Sequence, residues 1–199
     1  MELFTDWHTW PRAEPALRRL LPAAACAAVA RAAAFALRCH GDQKRPTGAP
    51  YAEHLLETLE VLVRGAGVSD PDVLCAAVLH DVVEDTPCTL GEVRAAFGDR
   101  VAELVGWVTK PEPPGQSDAA ARKAAKEAYL GRLADAPDDA ILVKLADRAS
   151  NVQTLRNLAL PRQREYYAQT VRYIMPLAAS RGWWHLWYAS WQEAHLDLA

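Results

Sequence analysis

Ala76-Ala77-Val78-Leu79-His80-Asp81-Val82-Val83-Glu84-Asp85-Thr86 begins as an apolar run suited to a buried helix and ends in one imidazole and three carboxylates. Packing alone would not select that ending, because buried charge is unfavourable unless something compensates it. On a helix Glu84 falls one turn beyond His80, and Asp85 one turn beyond Asp81, so nitrogen and hard oxygen donors crowd one helix end. A divalent metal is the simplest compensation. The rival, an ordinary solvated helix end, sets acids against the negative end of the helix dipole at about 0.3–1 kcal/mol each. It leaves the choice of residues unexplained.

Working outward, Asp70 can cap and Pro71 can start the helix, whose apolar face runs through Val73, Leu74, Ala77 and Val78 into the cluster. Upstream, spacing predicts a helix from about Tyr51 to Arg64 with His54 in its first turn. Downstream, a helix over roughly 138–159 carries Lys144, Asp147, Asn151 and Thr154 at steps of three, four and three residues, a polar stripe on one face. His54, His80, Asp81 and Asp147 thus make a candidate metal shell drawn from three helices. Such a donor set suits Mn²⁺, Fe²⁺ or Zn²⁺ better than Ca²⁺ and leaves positions for water and substrate. The loop from Gly41 to Pro50 is dense in Gly and Pro and presents adjacent Lys44 and Arg45, which suggests an anion nearby.

The remaining punctuation is helical throughout. Pro22 can open an Ala-rich helix reaching Cys39-His40, and Thr89-Leu90-Gly91-Glu92 has capping-box spacing for a short helix ending near Phe97-Gly98. Further helices are expected from about Asp99 to Thr109, from a Ser117 cap to about Ala134, from Pro161 onward, and from Gly182 to the end. Pro111 to Gly115 is expected to be a linker or lid. Trp183, Trp187 and Trp191 recur every fourth residue, which points to core packing of the last helix rather than a cofactor box. No stretch alternates as a strand would, so the expected class is all-α, in a compact helical fold. Residues 1–21 are expected to be an extension packing on the domain, 22–180 the domain, and 181–199 a Trp-rich C-terminal helix of the same unit.

Composition narrows the function classes. The chain has 199 residues, 51% hydrophobic and 24% charged, with a formal net charge of −3 and a pI of about 6.1. That balance supports neither a nucleic-acid scaffold nor a polybasic membrane anchor. The apolar stretch Leu20 to Leu37 is Ala-rich and broken by Arg31, too weak for a transmembrane helix. Cys26, Cys39, Cys75 and Cys88 have no CxxC spacing, consistent with free thiols in a cytoplasmic protein. His40 fits a supporting histidine better than a ligand.

The order His, His-Asp, Asp along an all-helical chain resembles the HD-domain phosphohydrolase superfamily, and within it the hydrolase domain of the RelA/SpoT alarmone enzymes and the stand-alone small alarmone hydrolases. The resemblance covers about residues 25–160. His40-Gly41-Asp42-Gln43-Lys44-Arg45-Pro46-Thr47-Gly48-Ala49-Pro50-Tyr51 with His54 is similar to that family's first segment, shifted by one at Gly-Gln. Leu79 to Thr86 fits Leu-His-Asp-x-x-Glu-Asp-Thr residue by residue, and Leu104 to Lys110 and Val143 to Leu155 also fit. The resemblance implies His54, His80, Asp81 and Asp147 as ligands, usually of Mn²⁺, with Glu84 and Asp85 positioning and deprotonating the attacking water. It implies Arg45 stacking on a purine base with Lys44 supplying charge, Lys144 and Asn151 contacting the nucleotide, and Thr154 near the base.

The implied activity is removal of the 3′-diphosphate of (p)ppGpp to give GDP or GTP and pyrophosphate. The implied partner is a small-molecule purine nucleotide, with neither DNA nor membrane involved and an oligomer left open. Pro46 in place of a second cation, Ala49 in place of a common Glu, and Gly-Asp-Gln in place of Gly-Gln depart from the pattern around the base and 5′-phosphate region. Rival substrates are therefore an adenine alarmone, the 2′-phosphate of NADPH, or an RNA 3′-pyrophosphate in an antitoxin role. The rival outside enzymes is a nucleotide-sensing HD domain, against which the retention of Glu84 and Asp85 argues.

Overall fold

A computed structural model describes residues 1–111 and 118–199, so most of the expected lid segment and the expected Ser117 cap lie outside the described residues. Among the described residues no strand forms, only an isolated bridge between Lys44 and Pro50, and the fold is all-α as the spacing predicts.

The centre is α4 (Pro71–Leu79), every residue of which from Val73 to Leu79 is buried. Its start is the expected one: the Asp70 carboxylate accepts from the Asp72 and Val73 amides, and Pro71 occupies the first turn, where a missing N–H costs nothing. Around it pack α2 (Ala23–His40), α3 (Tyr51–Glu60), α7 (Asp99–Val108) and α9 (Asp138–Gln153). By length and composition α2 could cross a membrane, yet its Ala25, Val29, Ala32, Ala33 and Ala36 face the core. Small side chains there let α2 lie close against α4. Gly41 ends α2 with φ 51°, a left-handed backbone that glycine adopts without strain. The capping box at Thr89 forms in full and starts α6 (Leu90–Phe97).

Three boundaries differ from the sequence reading. The central helix stops at Leu79, and His80 and Asp81 form a turn before a separate short helix, α5 (Val82–Asp85). The reason is local: the His80 ring donates from Nδ1 to the Ala77 carbonyl, 2.7 Å away, and Asp81 leaves helical geometry at φ −102°, ψ −4°. The cluster therefore lies on a corner between two helices rather than on one helix end. Likewise α9 ends at Gln153 instead of near residue 159, with Thr154 at φ −112°, ψ 29° followed by a tight turn over Leu155–Asn157. The N-terminal extension contains a helix the sequence pattern did not reveal, α1 (Trp10–Leu20), begun by Pro11. Farther on, α8 (Ala119–Arg132) is capped by Asp118, whose carboxylate accepts from the Ala121 amide at 2.7 Å.

Both chain ends brace the helices that carry the site. Phe4 and Trp7 are buried, and Gln153 on α9 grips the Phe4 backbone twice, accepting from its N–H at 2.8 Å and donating to its carbonyl at 2.9 Å. The Glu60 carboxylate, at the end of α3, accepts from the Asp6 and Trp7 amides, both at 3.0 Å. After α10 (Leu160–Gln169) and α11 (Met175–Ala178), the final helix α12 (Gly182–Glu193) packs Trp184, Trp187, Tyr188 and Trp191 inward. Tyr188 donates to the Leu145 carbonyl (2.7 Å) and Trp191 to that of Val152 (3.1 Å), so α12 is keyed to α9 on the side away from Asp147. Of the stripe that the spacing indicates, Trp187 and Trp191 are buried in the core and Trp183 packs against it partly exposed.

Candidate active site

Four side chains from α3, the His80-Asp81 corner and α9 converge. His54 Nε2 lies 3.1 Å from His80 Nε2, 3.4 Å from Asp81 Oδ2 and 3.3 Å from Asp147 Oδ1. His80 Nε2 lies 2.9 Å from Asp81 Oδ2 and 3.6 Å from Asp147 Oδ1. Both histidines are buried, at 3% and 1% exposure.

Hydrogen bonding behind the rings settles which nitrogens face inward. The His80 Nδ1 neighbour is a carbonyl, which can only accept, so Nδ1 carries the proton and neutral His80 presents a bare Nε2. The His54 Nδ1 neighbour is Ser150 Oγ, at 2.9 Å, and that hydroxyl already donates to Glu57 Oε2 at 2.6 Å. Ser150 must therefore accept from His54 Nδ1–H, and His54 also turns a bare Nε2 inward. With both rings neutral, two nitrogen lone pairs and two carboxylate oxygens thus face one another with no hydrogen between them. Such a donor set repels itself unless a cation sits among it. The residues fit a divalent metal.

The electrostatics agree. Burial raises the Asp81 carboxyl, but the facing His80 and His54 imidazoles outweigh it and hold the group below the usual range. Burial acts on Asp147 the same way and is overcome by Lys144, His54 and His80. Burial lowers both imidazoles, and the carboxylates beside them push each above its ordinary value, His80 strongly. The His/Asp cluster itself is short of positive charge. His54, His80 and Asp81 each offer a donor atom within 4.8 Å of the others.

A second layer fixes these donors. Tyr51 donates from its hydroxyl to Asp81 Oδ2 at 2.5 Å, and burial, then the charge of Asp81, hold its phenol far above the ordinary value, so it remains a donor. His40 stacks on the Tyr51 ring at 4.6 Å and is tied to Gln43 through Nδ1 at 2.8 Å, the supporting place expected of it. Lys144 Nζ holds Asp147 Oδ2 at 2.7 Å, and Asn151 donates to Oδ1 at 2.6 Å, so two members of the α9 polar stripe act on the carboxylate of a third. Burial lowers the Lys144 ammonium, but Asp147 reverses this and raises it, so it stays charged.

His54, Asp81 and Asp147 open into a cavity of about 230 Å³ that Glu84, Asp85, Lys144 and Asn151 also line, with His80 behind them. Glu84 is engaged there: its carboxylate accepts from the Lys110 backbone amide at 2.9 Å and pairs with the Lys110 ammonium. Lys44, Arg45 and Thr154 are not among the lining residues. Arg45 is drawn inward by Glu57, donating to Oε2 at 2.9 Å, so its guanidinium braces the carboxylate that orients Ser150 and His54. Lys44 is exposed, on the loop bridged to Pro50. Thr154 lies past the end of α9, off the stripe it would have continued. The site also uses residues to which the sequence reading gave no role, Tyr51, Lys110 and Arg148 inside the matching motifs, and Lys126, Tyr129, Arg162 and Tyr166. The Tyr51, Lys110 and Arg148 positions in those motifs were the available signal; the rest come from α8 and α10 and carry none.

Comparison with known proteins places this geometry. A relative from Aquifex aeolicus, a guanosine-3′,5′-bis(diphosphate) 3′-pyrophosphohydrolase, is 38% identical over 160 residues, spanning 79% of this chain and 22% of its own length. The bifunctional (p)ppGpp synthase/hydrolase SpoT of Escherichia coli K12 is 35% identical over 149 residues, spanning 74% of this chain and 21% of its own. The chain thus spans about a fifth of these curated relatives. A solved structure described as a metazoan ortholog of SpoT that hydrolyzes ppGpp superposes with a TM-score of 0.75 at 26% identity, covering 84% of this chain and 95% of that one. The family model for the HD domain matches residues 32–184. That match takes in most of the sequence and every one of the four converging donors, and on that basis the chain belongs to the HD domain family.

Proposed function

We propose that this chain is a divalent-metal-dependent alarmone hydrolase that removes the 3′-diphosphate of (p)ppGpp as pyrophosphate, leaving GDP or GTP, with Mn²⁺ as the working metal. The observation that carries the reading is the inward-facing set of His54 Nε2, His80 Nε2, Asp81 Oδ2 and Asp147 Oδ1, of which His54, Asp81 and Asp147 line a cavity that also holds two further carboxylates, Glu84 and Asp85. Similarity to the Aquifex and metazoan proteins, the latter matched over 95% of its length, supports the substrate class.

His54, His80, Asp81 and Asp147 would hold the cation, which when bound supplies an acidified water and a Lewis acid for phosphoryl oxygens. The chain's own groups do the rest. In the reaction the water oxygen bonds to phosphorus, the bond from phosphorus to the ribose 3′ oxygen breaks, and that oxygen takes up a proton. The Glu84 and Asp85 carboxylates receive the proton of the attacking water. Lys110 holds Glu84 through both its amide and its ammonium, which fixes the carboxylate in the cavity wall. Lys144 and Asn151 keep Asp147 in one orientation, and Tyr51 does the same for Asp81. The placement of Lys44, Arg45 and Thr154 outside the cavity lining removes the residue-level argument for guanine, so adenine alarmones are kept as a second arm.

The test is product chromatography on purified protein, stripped with chelator and reloaded with Mn²⁺, offered guanine and adenine alarmones, NADPH and nucleoside triphosphates. Pyrophosphate release from a guanosine 3′-diphosphate nucleotide only in the reloaded protein is the expected result. Activity untouched by chelation would sink the mechanism, and inactivity throughout would favour a sensor.

A further inference from the structure

One buried cation at this cavity finds no hydrogen-bond partner among the described residues for two of its nitrogens. Arg148 is 6% exposed, lines the cavity, and leaves Nε and Nη1 without a hydrogen-bond partner. Its guanidinium lies over the Tyr166 ring at 5.1 Å, a contact that supports a cation without satisfying its N–H groups. The cations beside it are already engaged: Glu165 accepts from Lys126 at 3.0 Å and from Arg162 at 2.9 Å. Arg162 also lies over Tyr166, at 5.1 Å, on the ring that Arg148 uses. Around Tyr166, therefore, three cations meet one carboxylate, and the unbalanced guanidinium is the most buried of them.

A buried charge with open donors is unfavourable and persists where a ligand completes it. The guanidinium fork fits a phosphate or carboxylate, and one following Asp147 by a single helical residue is turned about 100° from the metal-type donors. Two anion positions lining one cavity match a substrate with two anionic groups.

Resting on the alarmone-hydrolase reading, we infer that Arg148, backed by Tyr166, binds the 5′-phosphate end of the nucleotide while the scissile 3′-diphosphate lies at the His/Asp donors, making Arg148 the residue that selects 5′-phosphorylated substrates. Losing a charge-assisted bond of this kind weakens binding about ten- to a hundredfold.

The experiment compares the Mn²⁺-loaded full chain with Arg148→Gln and Arg148→Lys on ppGpp and on a guanosine 3′-diphosphate bearing a 5′-hydroxyl. For Arg148→Gln the expected result is KM for ppGpp raised about tenfold or more with kcat little changed, and kcat/KM for the 5′-hydroxyl substrate within about twofold of wild type. Arg148→Lys recovers part of the loss. Equal losses on both substrates would mark Arg148 as a packing residue and overturn the inference, as would an unchanged KM for ppGpp. If wild type cleaves neither compound, the hydrolase reading falls, and titration with GDP still decides the subsite: weaker GDP binding in Arg148→Gln sustains it, and equal binding refutes it.

Discussion

Arg45 offers the sharpest test of the structure against the sequence motif, because the two assign it opposite duties. The motif implies a guanidinium that stacks on a purine, whereas the structure turns it inward, with side-chain exposure of 13% against 7% for its partner Glu57, at 2.9 Å. At that separation and an effective dielectric near 20, the pair attracts by roughly 6 kcal/mol before desolvation is subtracted. Removing one partner of a buried pair costs about 3–5 kcal/mol, chiefly by stranding the other charge. Residual exposure of Arg45 places Arg45→Gln near the low end, about 3 kcal/mol, a fall in Tm of roughly 6–12 °C for a chain of this size. Glu57 keeps the Ser150 hydroxyl as a donor, which limits the loss further. Arg45→Gln combined with Glu57→Gln removes the stranded charge and should restore stability to within about 1 kcal/mol of wild type. The assay is urea unfolding of the wild type, both single variants and the double variant. If Arg45→Gln unfolds like wild type while KM for the nucleotide rises, Arg45 serves the base after all and the buried-pair argument is refuted.

Other expectations follow from the same geometry. Ser150→Ala removes the acceptor that holds the His54 tautomer, and Mn²⁺ affinity measured by chelator competition should fall about 10–100-fold; an unchanged affinity would show that Ser150 does not orient the ring. Glu84→Gln and Asp85→Asn should retain bound metal yet lower kcat, by about 10²–10⁴ for whichever carboxylate takes the proton, as read by pyrophosphate release. Full turnover in both variants would remove them from the chemistry. Gly65→Ala would set its Cβ 2.5 Å from Trp183 Cη2 and 2.9 Å from Phe4 Cζ, so a loss of about 1–3 kcal/mol in thermal unfolding is expected, and a neutral result would mean that Trp183 moves aside readily.

Charge and periodicity made much of the site legible. Acids that oppose a helix dipole drew attention to His80-Asp81 and Glu84-Asp85, and a three-four-three polar stripe drew it to Asp147. Both patterns are local, so they survive in a linear reading. The corner after Leu79 was not legible, since it depends on the His80 ring finding the Ala77 carbonyl, a choice that helix spacing does not encode. The helix over Trp10–Leu20 was missed because prolines and scattered charges obscure its apolar face.

Three elements show where the division falls. The amino-acid sequence alone determined the all-α class, the capping of α4 by Asp70, and the identity of the four donors, because periodicity, caps and misplaced charge act over a few residues. Tertiary structure decided the ring tautomers, through Ser150 and Ala77, and turned Arg45 inward to Glu57. It also brought Arg148 from α9 against Tyr166 from α10 with Nε and Nη1 unpaired among the described residues. Each of these depends on which partner a side chain meets across the fold, and hydrogen bonds and ion pairs between distant residues are set by packing rather than by spacing along the chain.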